Sequence, residues 1–304
     1  MRSDDLPLEP LSRSTTRVSA LSNEREERHV MTATAPTFAL TRGTTDPMRR
    51  TARIAGVLYV ITFVSIPTLG LYRPVLDHVG TFVLGAGSDT GVLWGALSEV
   101  VVGLAGIGTA VVLFPVLKRQ SESAALGLVT ARMLETSLIF VGVISMLSIL
   151  TLRNDVAGAA GTDPRSLVTT GHGLVGVYNW TFLLSQSLMP VACDLLLGYL
   201  LYRSALVPRV LPLIALFGAP LLLASDIAVF FGAYDRVSSL SGLAALPVAV
   251  FEFSLGVWLI VKGFNPSSPV FARANDDVGA AAPIPSPRAG GEQLDERTPE
   301  ATGR

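Results

Sequence analysis

Six ionisable side chains interrupt long apolar stretches of the sequence, where a protein core or lipid would surround them. They are Glu99, Arg132, Glu135, Asp194, Asp226 and Glu252. Charged groups in such surroundings are costly, and they usually face the interior of a helix bundle or a water-filled cavity. One base cannot balance five acids, so the remaining carboxyls are expected to be protonated, hydrated or bound to a cation. The pattern therefore predicts a site that handles a proton, a cation or a small solute.

The spacing of four of these residues indicates where their side chains point. Arg132 and Glu135 are three positions apart, which makes them neighbours on a helix. Glu99 and Glu252 each lie on a helical stripe of glycine and alanine, and small residues let helices approach closely. We therefore expect a site formed by Glu99, Arg132, Glu135 and Glu252. Two interpretations stay open: a proton- or cation-linked cavity, or a polar clamp around Arg132 that fixes the register of the helices.

Asn179, Asp194 and Asp226 are lesser candidates for the same site. Asn179, Gln186, Pro190 and Asp194 follow one stripe of the same apolar stretch, which predicts a polar seam along that helix. Taken singly, Asp194 and Asp226 are interpreted as residues wetted from the nearby membrane interface. Trp94, Tyr178, Trp180 and Tyr202 are interpreted as interfacial aromatics, which are common where a membrane meets water.

No motif in the sequence predicts a metal, a cofactor or a catalytic residue. The single cysteine, Cys193, stands in an apolar stretch without a CxxC or His/Cys cluster, and it is predicted to be a small apolar filler. The HExxH, GxSG and GxGD motifs are missing, which lowers the expectation of an intramembrane protease. A net charge of −1 does not suggest nucleic acid as a partner.

The elements that must position these residues are predicted to be six membrane-spanning helices. The chain is 50% hydrophobic and only 15% charged, and crossing a bilayer takes about 20 apolar residues per helix. Six stretches meet that length, at 51–71, 92–117, 124–150, 173–201, 210–231 and 243–261. Each must be helical, because a segment in hydrocarbon has to satisfy its own backbone hydrogen bonds. The predicted fold is an all-α bundle with membrane lipid around it.

The basic residues in the gaps predict the orientation of the bundle. One side carries Arg49, Arg50, Arg53, Lys118, Arg119, Arg203, Arg209 and Lys262, and the other carries Arg73, Arg153, Arg165 and Arg236. Cytoplasmic loops are enriched in Lys and Arg, so both termini are expected to be cytoplasmic. Residues 48–264 form the predicted membrane domain. The polar segment 1–47 and the Pro-, Ala- and Gly-rich segment 265–304 are expected to be disordered.

The membrane region resembles a bacterial family catalogued as domain of unknown function 4386. The residues that carry the likeness are TARIAGVLYVITFVSIP at 51–67, GALSEVVVGLAGIGTAVVLFPVLKRQ at 95–120, ARMLE at 131–135, YNWTFLL at 178–184, LLLGYLLYRSALVPRVL at 195–211 and FEFSLGVWLIVKGF at 251–264. The resemblance implies a multi-pass protein of the bacterial plasma (inner) membrane, and it brings no activity with it. It also implies that Glu99, Arg132, Glu135 and Glu252 stand at family motif positions, whereas Asp194 and Asp226 depart from the pattern.

The expected function is the binding or movement of a small solute, proton or cation at the Glu/Arg site, without catalysis. A structural or regulatory membrane protein held by buried charges is the main alternative. An intramembrane enzyme is a third.

Overall fold

A computed structural model describes residues 45–63, 68–156, 161 and 163–272 of the chain. Within these residues the fold is all-α, as predicted, with nine α-helices and no strand. They are α1 (Thr45–Thr62), α2 (Thr68–Leu76), α3 (Val79–Val83), α4 (Asp89–Leu117), α5 (Glu122–Thr151), α6 (Pro164–Leu183), α7 (Met189–Ser204), α8 (Val210–Phe230) and α9 (Ser239–Val261). A π-helical turn extends α5 over Leu152–Val156, and a second, Leu184–Leu188, joins α6 to α7.

Five of the described helical segments are long and apolar enough to cross a membrane. They are Asp89–Leu117, Glu122–Asp155, Pro164–Ser204, Val210–Phe230 and Ser239–Val261. These segments confirm the second to sixth predicted spans. Their most apolar windows are only 33–50% buried, and large side chains such as Phe217 and Leu243 are 76% and 65% exposed. The chain is therefore a multi-pass membrane protein whose outer surface faces lipid.

The first predicted span is divided between two helices in the structure. α1 ends at Thr62 and α2 begins at Thr68, and residues 64–67 lie outside the described residues. α1 begins with a polar turn that contains Arg49 and Arg50. It packs against both α4 and α9. The count of six spans and the cytoplasmic termini remain predictions.

The long helices contact one another in a closed ring. α1 packs on α4, α4 on α5, α5 on α6 and α7, α7 on α8, α8 on α9, and α9 on α1 again. The ring needs close approaches. At Gly56 of α1, for example, a Cβ atom would lie 2.5 Å from the carbonyl oxygen of Gly256 in α9. The small-residue stripe around Glu252 thus allows the backbones of α1 and α9 to touch.

Two apolar clusters fill the two ends of this ring. One end of the ring carries Arg49, Lys118, Arg209 and Lys262, and we call it the basic end. The cluster at this end includes Leu117, Leu128, Leu200, Phe251 and Leu259. The other, at what we call the distal end, includes Tyr72, Phe82, Val92, Ile149 and Leu167. The two groups of basic residues counted from the sequence therefore lie at opposite ends of the bundle.

Arg153 fastens the distal end. Its guanidinium donates hydrogen bonds to the carbonyl oxygens of Gly85, Ala86 and Gly87 at 2.8–3.1 Å. It also forms a salt bridge with Asp89 at 3.3 Å. Gly85 and Gly87 have positive φ angles of 110° and 79°, which glycine adopts without strain. This turn therefore presents its carbonyl groups to one cation.

Candidate functional site

Arg132 is the centre of a buried ion-pair network that joins α5 to α9. Its Nη1 donates to both carboxylate oxygens of Glu135, at 3.1 and 3.0 Å, and its Nη2 donates to Glu252 Oε1 at 2.7 Å. Arg132 is 3% exposed and Glu135 is 7% exposed. The neighbour relation predicted for Arg132 and Glu135 is confirmed. Glu252, also expected in this site, contacts Arg132 directly although it lies 120 residues further along the chain.

Two further side chains touch this network. The guanidinium of Arg132 lies 5.8 Å from the centre of the Tyr59 ring in α1, within cation–π range. The thiol of Cys193 donates to Glu135 Oε2 at 3.5 Å. Cys193 is fully buried, as expected of a core filler, but its sulfur contacts a carboxylate. Arg132 Nε has no hydrogen-bond partner among the described residues.

Glu99 lies in a second cluster, apart from Arg132. Its carboxylate accepts hydrogen bonds from the hydroxyls of Tyr72 and Tyr178, at 3.3 and 3.1 Å, and from the amide of Gln186 at 3.0 Å. Glu99 is 1% exposed, so these three neutral donors take the place of hydrogen bonds from water. The structure therefore splits the predicted four-residue site into an Arg132 cluster and a Glu99 cluster.

A cavity of about 210 Å³ lies between the two clusters. Arg132, Glu135 and Glu252 line one part of it, and Gln186, which also holds Glu99, lines another. The hydroxyl-bearing residues Thr62, Thr136 and Ser187 also line the cavity. Apolar and small residues complete the wall, namely Phe63, Val102, Gly103, Gly106, Ile139, Pro190, Leu222, Ala245, Val248 and Ala249. A largely apolar cavity with a few convergent polar groups is typical of small-ligand sites.

Asp194 and Asp226 are both buried. Asp194 is 0% exposed, and neither of its oxygens has a hydrogen-bond partner among the described residues. It lies within electrostatic range of Arg132, Glu135 and Glu252. Asp226 is 3% exposed and accepts a hydrogen bond from Ser187 Oγ at 2.5 Å. Neither carboxyl is exposed at the surface of the described bundle, and their hydration stays a prediction.

Asn179 does not join the seam predicted for its helix. Its Oδ1 accepts a hydrogen bond from Arg236 at 2.9 Å, and the Arg236 guanidinium lies 4.1 Å from the Phe182 ring. Burial lowers the pKa of Arg236 from its ordinary value, while Tyr178 and Glu99 nearby oppose that shift. The π-helical turn Leu184–Leu188 separates Asn179 from Pro190 and Asp194. Because a π turn adds a residue to the helix, the two halves no longer share one stripe.

Sequence reasoning missed the tyrosines that hold the site. Tyr178 is 1% exposed and faces Glu99, so its interpretation as an interfacial aromatic is wrong. Trp94 and Trp180, by contrast, are 59% and 53% exposed. The available signal was the helical position of Tyr178, which is four residues from Leu174 and Phe182 on the face that packs at the distal end. Tyr72 carried no comparable signal, because α2 is short and follows a break.

The apolar ring of helices and its buried charges define the class: a multi-pass, all-α membrane protein with an internal polar site. Within the described residues, no group of three or more His, Cys, Asp or Glu side chains could hold a metal ion. The family described as Domain of unknown function (DUF4386) matches residues 54–263, and the chain belongs to that family. Neither the curated proteins nor the solved structures contain a match to the chain. The family brings no activity, so the function must be argued from the site.

Proposed function

We propose that the chain binds a small organic cation in the cavity between Arg132 and Gln186, and that protons compete with this cation for the carboxyls around it. The supporting observation is the cavity of about 210 Å³ whose wall carries Arg132, Glu135 and Glu252 together. We propose that the protein does this in the plasma membrane of a bacterium, which is the location expected from the sequence.

The charge balance favours a cation over an anion. Arg132 already donates to both Glu135 and Glu252, so one positive charge meets two carboxylates. Asp194 lies in the same electrostatic neighbourhood and forms no salt bridge with the described residues. An anionic ligand could accept a hydrogen bond only from the unpartnered Nε of Arg132, and it would lie beside two carboxylates that already bind this guanidinium. A cation or a proton instead neutralises the excess acid.

The size of the cavity limits the ligand. A cavity needs only about 10–15 Å³ of space accessible to a water-sized sphere to hold one water molecule, so a cavity of about 210 Å³ has room for several waters. This volume suits an organic cation of a few heavy atoms. Protons compete for the same carboxylates, so affinity is expected to fall as the pH falls.

The experiment is thermal unfolding of the purified protein in detergent, between pH 6 and pH 8.5, with a panel of Na⁺, K⁺, methylammonium, guanidinium and ethanolamine. A ligand that binds only the folded state stabilises it by about 2.7 kcal/mol at a hundredfold excess over its Kd. We expect a cation of the panel to raise the melting temperature of the wild type. We expect this shift to disappear in Glu252→Gln. Glu122→Gln is the matched control, because Glu122 begins α5 outside the cavity.

A structural role is the second candidate, and the 2.7 Å contact between Arg132 and Glu252 favours it. This ion pair joins two helices, as a clamp would. If the charges are only a clamp, no cation in the panel raises the melting temperature, and Glu252→Gln lowers the folded yield. Replacing a complete buried ion-pair set with well-packed neutral residues is often tolerated. A clamp therefore predicts recovery in the triple variant Arg132→Met, Glu135→Gln, Glu252→Gln.

A further inference from the structure

A second pocket, at the basic end of the bundle, has a different chemistry from the central cavity. It has a volume of about 430 Å³ and is formed where the α7–α8 connection meets the residues after α9. Its polar lining includes Arg209, Lys262 and Asn265, and Trp258 forms part of its apolar wall. None of its lining residues also lines the central cavity.

The pocket is held in shape by its own backbone. The amide nitrogen of Asn265 donates to the carbonyl oxygen of Leu206 at 2.8 Å, and its side chain donates to that of Ala205 at 3.2 Å. Ser268 Oγ donates to the carbonyl oxygen of Ser204 and is 1% exposed. The segment after α9 is therefore folded back on the α7–α8 connection.

The electrostatics of the pocket are positive. Its lining contains two cationic side chains and no Asp or Glu. Neither Arg209 nor Lys262 forms a salt bridge with the residues that the structure describes. Arg209 instead lies over the ring of Tyr202, 5.7 Å from its centre. A guanidinium and an ammonium that share one concave wall are suited to the oxygens of a phosphate group.

The surroundings favour a lipid as the source of that phosphate. Trp258 is half-buried in the pocket wall, as tryptophan often is at the headgroup level of a membrane. Val257 and Val261, one turn apart on the same helix, are 40% and 57% exposed and face lipid beside it. Acyl chains can lie along this face while the headgroup enters the pocket. Basic pockets on the cytoplasmic side of membrane proteins bind anionic headgroups in this way.

We propose that the pocket of Arg209, Lys262, Trp258 and Asn265 binds the phosphate of an anionic phospholipid headgroup. The site is separate from the central cavity and does not depend on the function proposed for it. A soluble phosphate would use the same two cations, so the test includes both sources.

The test is a titration of the full chain in neutral detergent with short-chain phosphatidylglycerol, short-chain phosphatidylcholine and inorganic phosphate, read as the shift in melting temperature. Phosphatidylglycerol is expected to stabilise the wild type more than phosphatidylcholine does. The double variant Arg209→Gln, Lys262→Gln is expected to lose affinity for it about thirtyfold, because each cation near an anionic headgroup contributes roughly fivefold. Each single variant is expected to lose affinity for phosphatidylglycerol about fivefold. The single variants provide the test if the double variant folds poorly.

Lys118→Gln, Arg119→Gln is the matched control, since it removes one lysine and one arginine from the same end but outside the pocket. It is expected to bind as the wild type does. Equal loss in both double variants, or equal stabilisation by the two lipids, overturns the proposal. If inorganic phosphate stabilises the wild type but not the double variant Arg209→Gln, Lys262→Gln, the phosphate site is supported. That result would also show that soluble phosphate binds there without a lipid.

Discussion

Asp194 is a buried carboxyl that has neither a hydrogen-bond partner nor a salt bridge among the described residues. Both oxygens are buried without a partner among the described residues, beside the carboxylates of Glu135 and Glu252. Asp194→Asn keeps the shape and removes a like charge. We expect it to raise the free energy of unfolding by about 1–2 kcal/mol, because the amide of asparagine adds a donor beside these carboxylates and a hydrogen bond contributes about that much. The measurement is thermal unfolding in detergent at neutral pH.

Asp226→Asn is the comparison for this prediction. One carboxyl oxygen of Asp226 accepts a hydrogen bond from Ser187 and the other has no partner among the described residues, so a smaller gain is expected there. A loss of stability in Asp194→Asn would mean that a water or cation bonds to Asp194 in the membrane, which would contradict the prediction.

The hydroxyl of Tyr178 is expected to contribute through Glu99. Tyr178→Phe removes one of three donors to a buried carboxylate, and a hydrogen bond to a charged group is worth about 1.5–3 kcal/mol. The unfolding free energy should fall by that amount in chemical or thermal denaturation. Tyr199→Phe is the control, because Tyr199 is 46% exposed and should tolerate the change. An equal effect in both variants would argue against a special role for Glu99.

At the scale of elements, the contact between α1 and α9 depends on two glycines. A Cβ at Gly56 would lie 2.5 Å from the carbonyl oxygen of Gly256 and 2.9 Å from the amide nitrogen of Ile260. Backbone atoms cannot move aside as a side chain can. Gly56→Ala is therefore expected to separate the helices and to destabilise the bundle by about 1–3 kcal/mol, as overpacking does.

Gly176→Ala is the matched control for Gly56→Ala. Gly176 lies within α6, and a Cβ there would meet nothing within 4 Å. Alanine is a better helix former than glycine by about 1 kcal/mol, so this variant should be neutral or slightly stabilised. The comparison is made by thermal unfolding and by folded yield. A Gly56→Ala protein as stable as the wild type would contradict the close packing of α1 on α9.

The π turn Leu184–Leu188 shows why helix stripes drawn from sequence have a limited range. The pair Arg132 and Glu135 could be predicted because both residues lie within one uninterrupted helix. The stripe from Asn179 to Asp194 crosses the π turn, which changes the angular position of everything after it. The sequence placed both Glu99 and Glu252 in the site of Arg132, but it could not show that only Glu252 contacts Arg132, because this contact depends on how α5 and α9 are arranged in the ring.

At the scale of the whole molecule, composition and the length of the apolar stretches were sufficient for an all-α membrane fold and for five of its spans. The first span is harder to predict. Basic residues open α1, and the polypeptide between α1 and α2 lies outside the described residues. Whether α1 and α2 together cross the membrane decides on which side Asp77 lies.

Single cysteines test this topology. In a Cys193→Ala background, we expect Asp77→Cys and Ala233→Cys to react with a membrane-impermeant thiol reagent on intact cells. Arg50→Cys and Ser267→Cys are expected to react only after permeabilisation. All four positions are exposed. If Asp77→Cys behaved like Arg50→Cys, this would contradict the first predicted span, at 51–71.

The two apolar clusters stand at opposite ends of the ring, and the cavity lies in neither of them. Pressure favours states in which internal voids are eliminated. Under hydrostatic pressure, the part of the bundle around the cavity should therefore open locally at a lower pressure than its two ends do. Amides of α5 and α9 near Glu135 and Glu252 should exchange with deuterium earlier under pressure than those near Leu117 or Ile149. A ligand that fills the cavity would make the bundle uniformly stiff.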